Sequence, residues 1–360
     1  MPRAERLLQT GLAARPVNVP WHRLYQNLHM NRADEAALAA EYDRLLAAEP
    51  ENSALLYLRG RVGPNGHALF ERAHRADPQN AYASFALGYD LLAMGDPAAA
   101  RPLLAGAAEG RPDSPQFAEL LWQCRLALGE TAGLEAEARA EMAREPLSVR
   151  ASGHLIDALV AQGKNADAAK VSADYARAAA PLPPDDRAAV VAIVRRHALY
   201  ATADFAALEK DAAPDRTPAG RRALLQALIE QGRATEAVRL QPLATATSDD
   251  ALHCLVVSLA LRQAGNRAAA DEWRERGVQF LSEGPRAQQD FARLLRDTAP
   301  PDLAALAALK TDTMGKAIVL AALAAQHPAQ RAPLCELVRK MPLARTYPYH
   351  FIQRLTAAEK

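Results

Sequence analysis

The chain has 360 residues, half of them apolar and only 5% aromatic, with 43 basic against 42 acidic side chains. That length favours two domains or an extended repeat array over one compact core. The near-neutral charge supplies no global field to gather nucleic acid or an anionic membrane, and no apolar run approaches a membrane span.

The mix, rich in alanine and leucine and poor in aromatics, suits closely packed helices, and period-2 alternation bounded by turn residues is not evident even around "AVVAIV" at 189–194. Of the basic residues 36 are arginine, spread evenly along the chain as a compositional bias. Cys124, Cys254 and Cys335 lie far apart without a CxxC, which argues against zinc, a c-type haem attachment or a disulfide framework and fits a reducing compartment. A cytoplasmic location is expected, because the first 17 residues carry arginines but not the apolar run of a secretory signal.

In chain order, residues 1–17 read as an N-terminal capping segment. Residues 20–50 read as a helical hairpin that turns at Asn31-Arg32-Ala33-Asp34 and stops at Pro50. Pro50 to Pro78 spans 28 residues, a unit shortened in its first helix or turn. The clearest region is 81–180, where Gly95, Gly129 and Gly163 recur every 34 residues and Pro78, Pro112 and Pro146 keep the same interval. Glycine permits the tight turn inside a hairpin, and proline blocks continuation after the second helix. Residues 185–213 form a divergent hairpin turning near Ala203-Asp204, followed by turns at Gly232-Arg233 and Gly265-Asn266. Ser114-Pro115 and Thr217-Pro218 place a hydroxyl before a first-turn proline, and Ser248 precedes another apolar helix. About seven hairpins thus occupy 18–283. Residues 284–360 keep a helical pattern without the period and read as a closing module that covers the last repeat.

Within the unit that starts at Ala81, Gly88, Ala100 and Ala107 supply small residues where helices must approach, alongside Leu87, Leu91 and Leu104, and Pro112 ends it. The next units keep Leu121, Leu134 and Pro146, then Leu155, Leu159, Ala168 and Tyr175, although Trp122 and Glu141 replace expected small residues. In spacing and in its small residues this resembles the tetratricopeptide repeat, a helix-turn-helix unit. The resemblance implies an all-α, right-handed α-α superhelix, a solenoid with a helical C-terminal cap.

In that family the first helices of successive units line a concave groove. The matching positions here are Tyr57, Tyr82, Phe85, Tyr89, Gln116, Glu119, Gln123, Arg150, His154 and Asp157, a row passing from aromatic to polar to charged. The resemblance implies a non-enzymatic scaffold or adaptor whose groove grips a protein segment, with aromatic rings supplying contact area. The lysines and asparagines of carboxylate-clamp members are absent from the corresponding positions. A second possibility is a regulatory or accessory subunit that makes its contact through 284–360. A third is an RNA-binding helical repeat, which neighbouring acids and neutral charge disfavour.

No catalytic motif of the GxxxxGK[ST], HExxH or GxSxG kind occurs, so neither enzyme activity nor a cofactor, metal, nucleic-acid or membrane partner is expected. His22 and His29, two turns apart on one helix, have no further ligands in view. His154 and Asp157 have i, i+3 spacing that allows contact, as a polar pair without an accompanying nucleophile. The aromatic, proline-interrupted segment 341–351 is a candidate to lie extended in the groove.

Overall fold

The computed structural model describes residues 8, 10–12, 14–30, 35–63, 66–284, 286–307, 309 and 312–357. Among them there is no strand, as the composition predicts. The chain forms two units, one from residues 1–124 with 285–288 and the other from 125–284 with 289–360.

The first unit contains α1 (Val19–Met30), α2 (Glu35–Ala48), α3 (Ser53–Gly60), α4 (Gly66–Ala76), α5 (Ala81–Ala93) and α6 (Pro97–Gly110). The turn expected at residues 31–34 lies outside the described residues. The shortening between Pro50 and Pro78 falls in the first helix, since α3 has 8 residues where α5 has 13. The unit boundary falls within α7 (Pro115–Ala127).

The second unit continues with α8 (Thr131–Arg144), α9 (Val149–Ala161), α10 (Asn165–Ala178), α11 (Pro184–Ala201), α12 (Phe205–Ala212), α13 (Pro218–Glu230), α14 (Ala234–Leu240), α15 (Ala251–Gln263) and α16 (Arg267–Glu283). It closes with α17 (Arg286–Arg296) from residue 289 onward, α18 (Leu303–Ala307), α19 (Thr313–Gln326), α20 (Arg331–Lys340) and α21 (Tyr349–Thr356).

One turn design recurs. Gly95, Gly129, Gly163, Gly232 and Gly265 all have positive φ, between 75° and 87°. The residue after each glycine donates its amide to the carbonyl five residues back: Asp96 to Leu91, Glu130 to Arg125, Lys164 to Leu159, Arg233 to Leu228 and Asn266 to Leu261. This satisfies carbonyls that a helix end leaves open, and glycine enters the left-handed region without steric cost. At the divergent hairpin Ala203 takes the same place with φ 58°, and Asp204 closes the same bond to Leu199. The following helices start on side-chain caps at Asp96, Asp204 and Asn266. Thr217 caps α13 as expected, its hydroxyl accepting from the Gly220 amide at 3.1 Å. Ser248 instead opens a short 3-10 turn before α15, which Thr247 fastens through the Asp250 carboxylate at 3.0 Å.

Small residues sit where helices meet. A Cβ on Gly88 would lie 2.7 Å from the buried Leu104 side chain, so α5 and α6 approach as closely as this glycine allows. The core of the first unit gathers Tyr42, Leu55, Leu56, Leu58 and Phe70. The large core of the second unit joins α15 and α16 to the closing helices through Leu255, Trp273, Leu281, Leu320, Leu323 and Phe351.

Candidate partner-binding site

In the first unit, Asn80 caps α5 by accepting from the amides of Tyr82 and Ala83. The spacing of Tyr82, Phe85 and Tyr89 then puts the three side chains on one helix face, and all three are partly exposed. A second rank of rings backs them. Phe85 stacks on Phe117 with centroids 4.1 Å apart and planes 10° from parallel. Tyr82 meets Phe117 edge-on at 5.7 Å and lies 5.6 Å from Tyr57, which in turn lies 5.9 Å from Phe70. Such offset and edge contacts use the ring quadrupole and fix ring orientation.

Two arginines frame the Tyr82 ring. The Arg111 guanidinium lies 5.0 Å from its centroid and also donates to its hydroxyl, and Arg23 lies 5.3 Å from the same centroid. Asp113 grips Arg111 through both carboxylate oxygens. Arg23, Arg111 and Phe117 are absent from the row read off the sequence. Arg23 stands in the N-terminal hairpin and Arg111 at the end of a second helix, so mapping the first helices of the clear repeats passes over both.

Tyr57 corrects the expected row: it is 4% exposed, covered by Phe70 and Tyr82, and belongs to the core. On α7, Gln116 is exposed, and Glu119 accepts from the Gln123 amide at 3.1 Å.

In the second unit, Arg150 is exposed and ion-paired with Glu141. His154 is buried, so it is not available on a surface. Asp157 accepts from a different histidine than the i, i+3 spacing suggests: His197 on α11, whose Nε2 lies 3.0 Å from the carboxylate. Burial alone would lower the His197 pKa, but the hydrogen bond and charge of Asp157 outweigh it and leave the pKa raised.

The segment 341–351 is not an extended strand. It runs into α21, whose Phe351 and Ile352 are buried in the core of the second unit. Tyr347 reaches His253 on α15, His350 lies 3.0 Å from the Tyr200 carbonyl on α11, and Arg354 pairs with Glu230 at the end of α13. The tail therefore covers parts of three first helices as a helical cap.

The remaining histidine pair is structural. His22 is buried with Nδ1 2.9 Å from the Tyr42 hydroxyl, and the His29 ring packs on Tyr25 at 4.4 Å. Among the described residues no group of three His, Cys, Asp or Glu side chains is placed to hold a metal ion, and no helix is long and apolar enough to cross a membrane. Cys124, Cys254 and Cys335 are buried and form no disulfide.

The fold is thus all-α and built from repeated helical hairpins. Residues 65–124 match the tetratricopeptide repeat family model. Comparison with curated proteins finds no match. Among solved structures, a chain of the structure of Naa15/Naa10 bound to HypK-THB is similar at 13% identity with a TM-score of 0.37. The alignment covers 98% of this chain and 57% of that one, so this chain spans little more than half of its solved neighbour's length.

Proposed function

We propose that the protein is a non-enzymatic interaction scaffold whose first unit receives a protein segment across Tyr82, Phe85 and Tyr89. A single observation carries this reading: three partly exposed rings lie in line on one repeat helix, held by a second rank of buried rings. Preformed aromatic surface gains contact area without the entropy cost of ordering long side chains, which is how such rings act as anchors. The match of residues 65–124 to a repeat family whose members act as interaction modules supports the same class of function. Gln116 and Glu119 on α7 offer polar groups beside the rings to fix the register of a bound segment.

The test is photo-crosslinking in native lysate, with a photoreactive residue placed at Tyr89, at buried Tyr57 or at exposed Ile193. A discrete protein adduct from position 89, absent from the other two and lost when Phe85→Ala is added, is the expected result. Equal labelling at 89 and 193, or none at 89, overturns the reading.

A further inference from the structure

The second unit holds a cleft of about 480 Å³ between the last hairpin and the closing helices, remote in sequence from the aromatic row. Its apolar floor includes Leu255 and Leu259, and its rim carries Arg262, Arg274 and Arg296. The three arginines are not equivalent. Arg262 is paired with Asp271 at 2.8 Å. Arg274, only partly exposed, has no carboxylate partner among the described residues. Its guanidinium donates to the Leu295 carbonyl and, at 2.7 Å, to Gln326 Oε1, both neutral acceptors. Gln326 is itself held by its amide on the Asp297 carbonyl at 2.9 Å, so the fork is fixed in direction by neutral acceptors, while Glu275 and Asp271 act on its charge without pairing with it directly. Arg296 likewise donates to a neutral group, the Ser282 hydroxyl at 3.2 Å. The lining also holds two carboxylates, Asp271, which is paired with Arg262, and the exposed Glu275.

Removing a guanidinium from water without a counter-charge is costly, and planar forks with spare N–H groups match the geometry of phosphate and carboxylate oxygens. We propose that this cleft is a binding site for an oxyanion, a phosphate or a carboxylate, held between Arg274 and Arg296 with Thr298 at its edge. The Arg274 fork is oriented before the ligand arrives, and Arg296, on the exposed side, closes the pair. The site is independent of the aromatic surface on the first unit.

The experiment is isothermal titration of the full chain with inorganic phosphate and, separately, with citrate, repeated for Arg296→Ala, Arg274→Gln and the first-unit control Arg75→Ala, at an exposed position outside both sites. Saturable binding of at least one probe is expected, weakened about tenfold or more by Arg296→Ala and by Arg274→Gln, and unchanged by Arg75→Ala. Binding of phosphate alone assigns a phosphoryl ligand, and binding of citrate alone a carboxylate ligand. No saturable binding at millimolar probe, or binding that both cleft variants keep, overturns the proposal. Arg274 also ties helices together, so if its variant fails to fold, the exposed Arg296→Ala decides the matter alone.

Discussion

Arg354 donates to the Glu230 carboxylate at 2.9 Å across 124 residues of sequence, while the Tyr200 hydroxyl donates to the other carboxylate oxygen at 2.6 Å. The Glu230 side chain is fully buried, so each donor satisfies an oxygen that water cannot reach. Arg354→Ala removes one of them and is expected to cost about 2 kcal/mol, the scale of a hydrogen bond to a charged group. Urea unfolding measures this, and a wild-type midpoint would show that the pair contributes nothing. Arg354→Ala combined with Glu230→Gln should cost less than the sum of the single changes, since neither contact outlives its partner.

Gly88 tests how close the hairpin helices lie. Alanine there gains about 1 kcal/mol in helix propensity, but its methyl meets the buried Leu104 at 2.7 Å. Overpacking of a fixed core costs about 1–3 kcal/mol, so Gly88→Ala is expected to destabilise on balance. Gly88→Ala with Leu104→Ala should recover part of the loss. A Gly88→Ala protein with a higher melting temperature would show that Leu104 moves aside freely.

Ala203 makes the opposite prediction. With φ 58° it occupies the place that glycine takes in the other turns. A side chain in that region costs about 1 kcal/mol. Ala203→Gly should therefore stabilise the protein by a similar amount, whereas Gly163→Ala should destabilise it with nothing but backbone to blame, since a Cβ at Gly163 meets open space. Paired thermal melts of the two variants check both signs.

Acid should weaken the fold before its carboxylates titrate. Burial, with the Arg15 charge, lowers His22 from 6.5 to about 4, and burial lowers His253 to about 4 as well. Both are neutral in the folded protein and take up protons near 6.5 when unfolded. Their contribution is therefore complete above that pH and falls as the pH drops from 6.5 towards 4. His197 acts with the opposite sign: its raised pKa favours the imidazolium beside Asp157, a contribution present at low pH and lost as pH rises through the folded value. Burial lowers the His350 pKa as well, so three lowered histidines against one raised predict a lower urea midpoint at pH 5 than at pH 7. His22→Gln with His253→Gln should flatten or reverse that difference, and an unchanged pH dependence would contradict the assignment.

The hairpin framework was legible because turn glycines and stop prolines act through their own backbone. Gly95, Gly129, Gly163, Gly232 and Gly265 need no neighbour to announce a positive φ. Ala203 was found only by its place after an apolar helix. The surface was less legible, because helix position says which way a side chain leaves the backbone and not what covers it. Tyr82, Phe85 and Tyr89 share a face as their spacing demands, but Tyr57 is buried by Phe70, a residue of the next helix. Asp157 pairs with His197, 40 residues on, where local spacing pointed to His154. The 341–351 segment shows the same gap, since its proline-broken pattern does not reveal that α21 ends in the core.

The Tyr200, Glu230 and Arg354 contacts also bear on the order in which the chain is made. A polypeptide emerges from the ribosome N-terminus first, so α11 and α13 are synthesised long before the helix that covers them: His350 meets Tyr200 across 150 residues of sequence. Until α21 arrives, the Glu230 carboxylate and the Tyr200 ring lack the contacts that Arg354 and His350 supply. A nascent chain halted ahead of residue 347 is thus chemically distinct from a finished one, because it displays an aromatic and acidic surface that quality-control factors can meet.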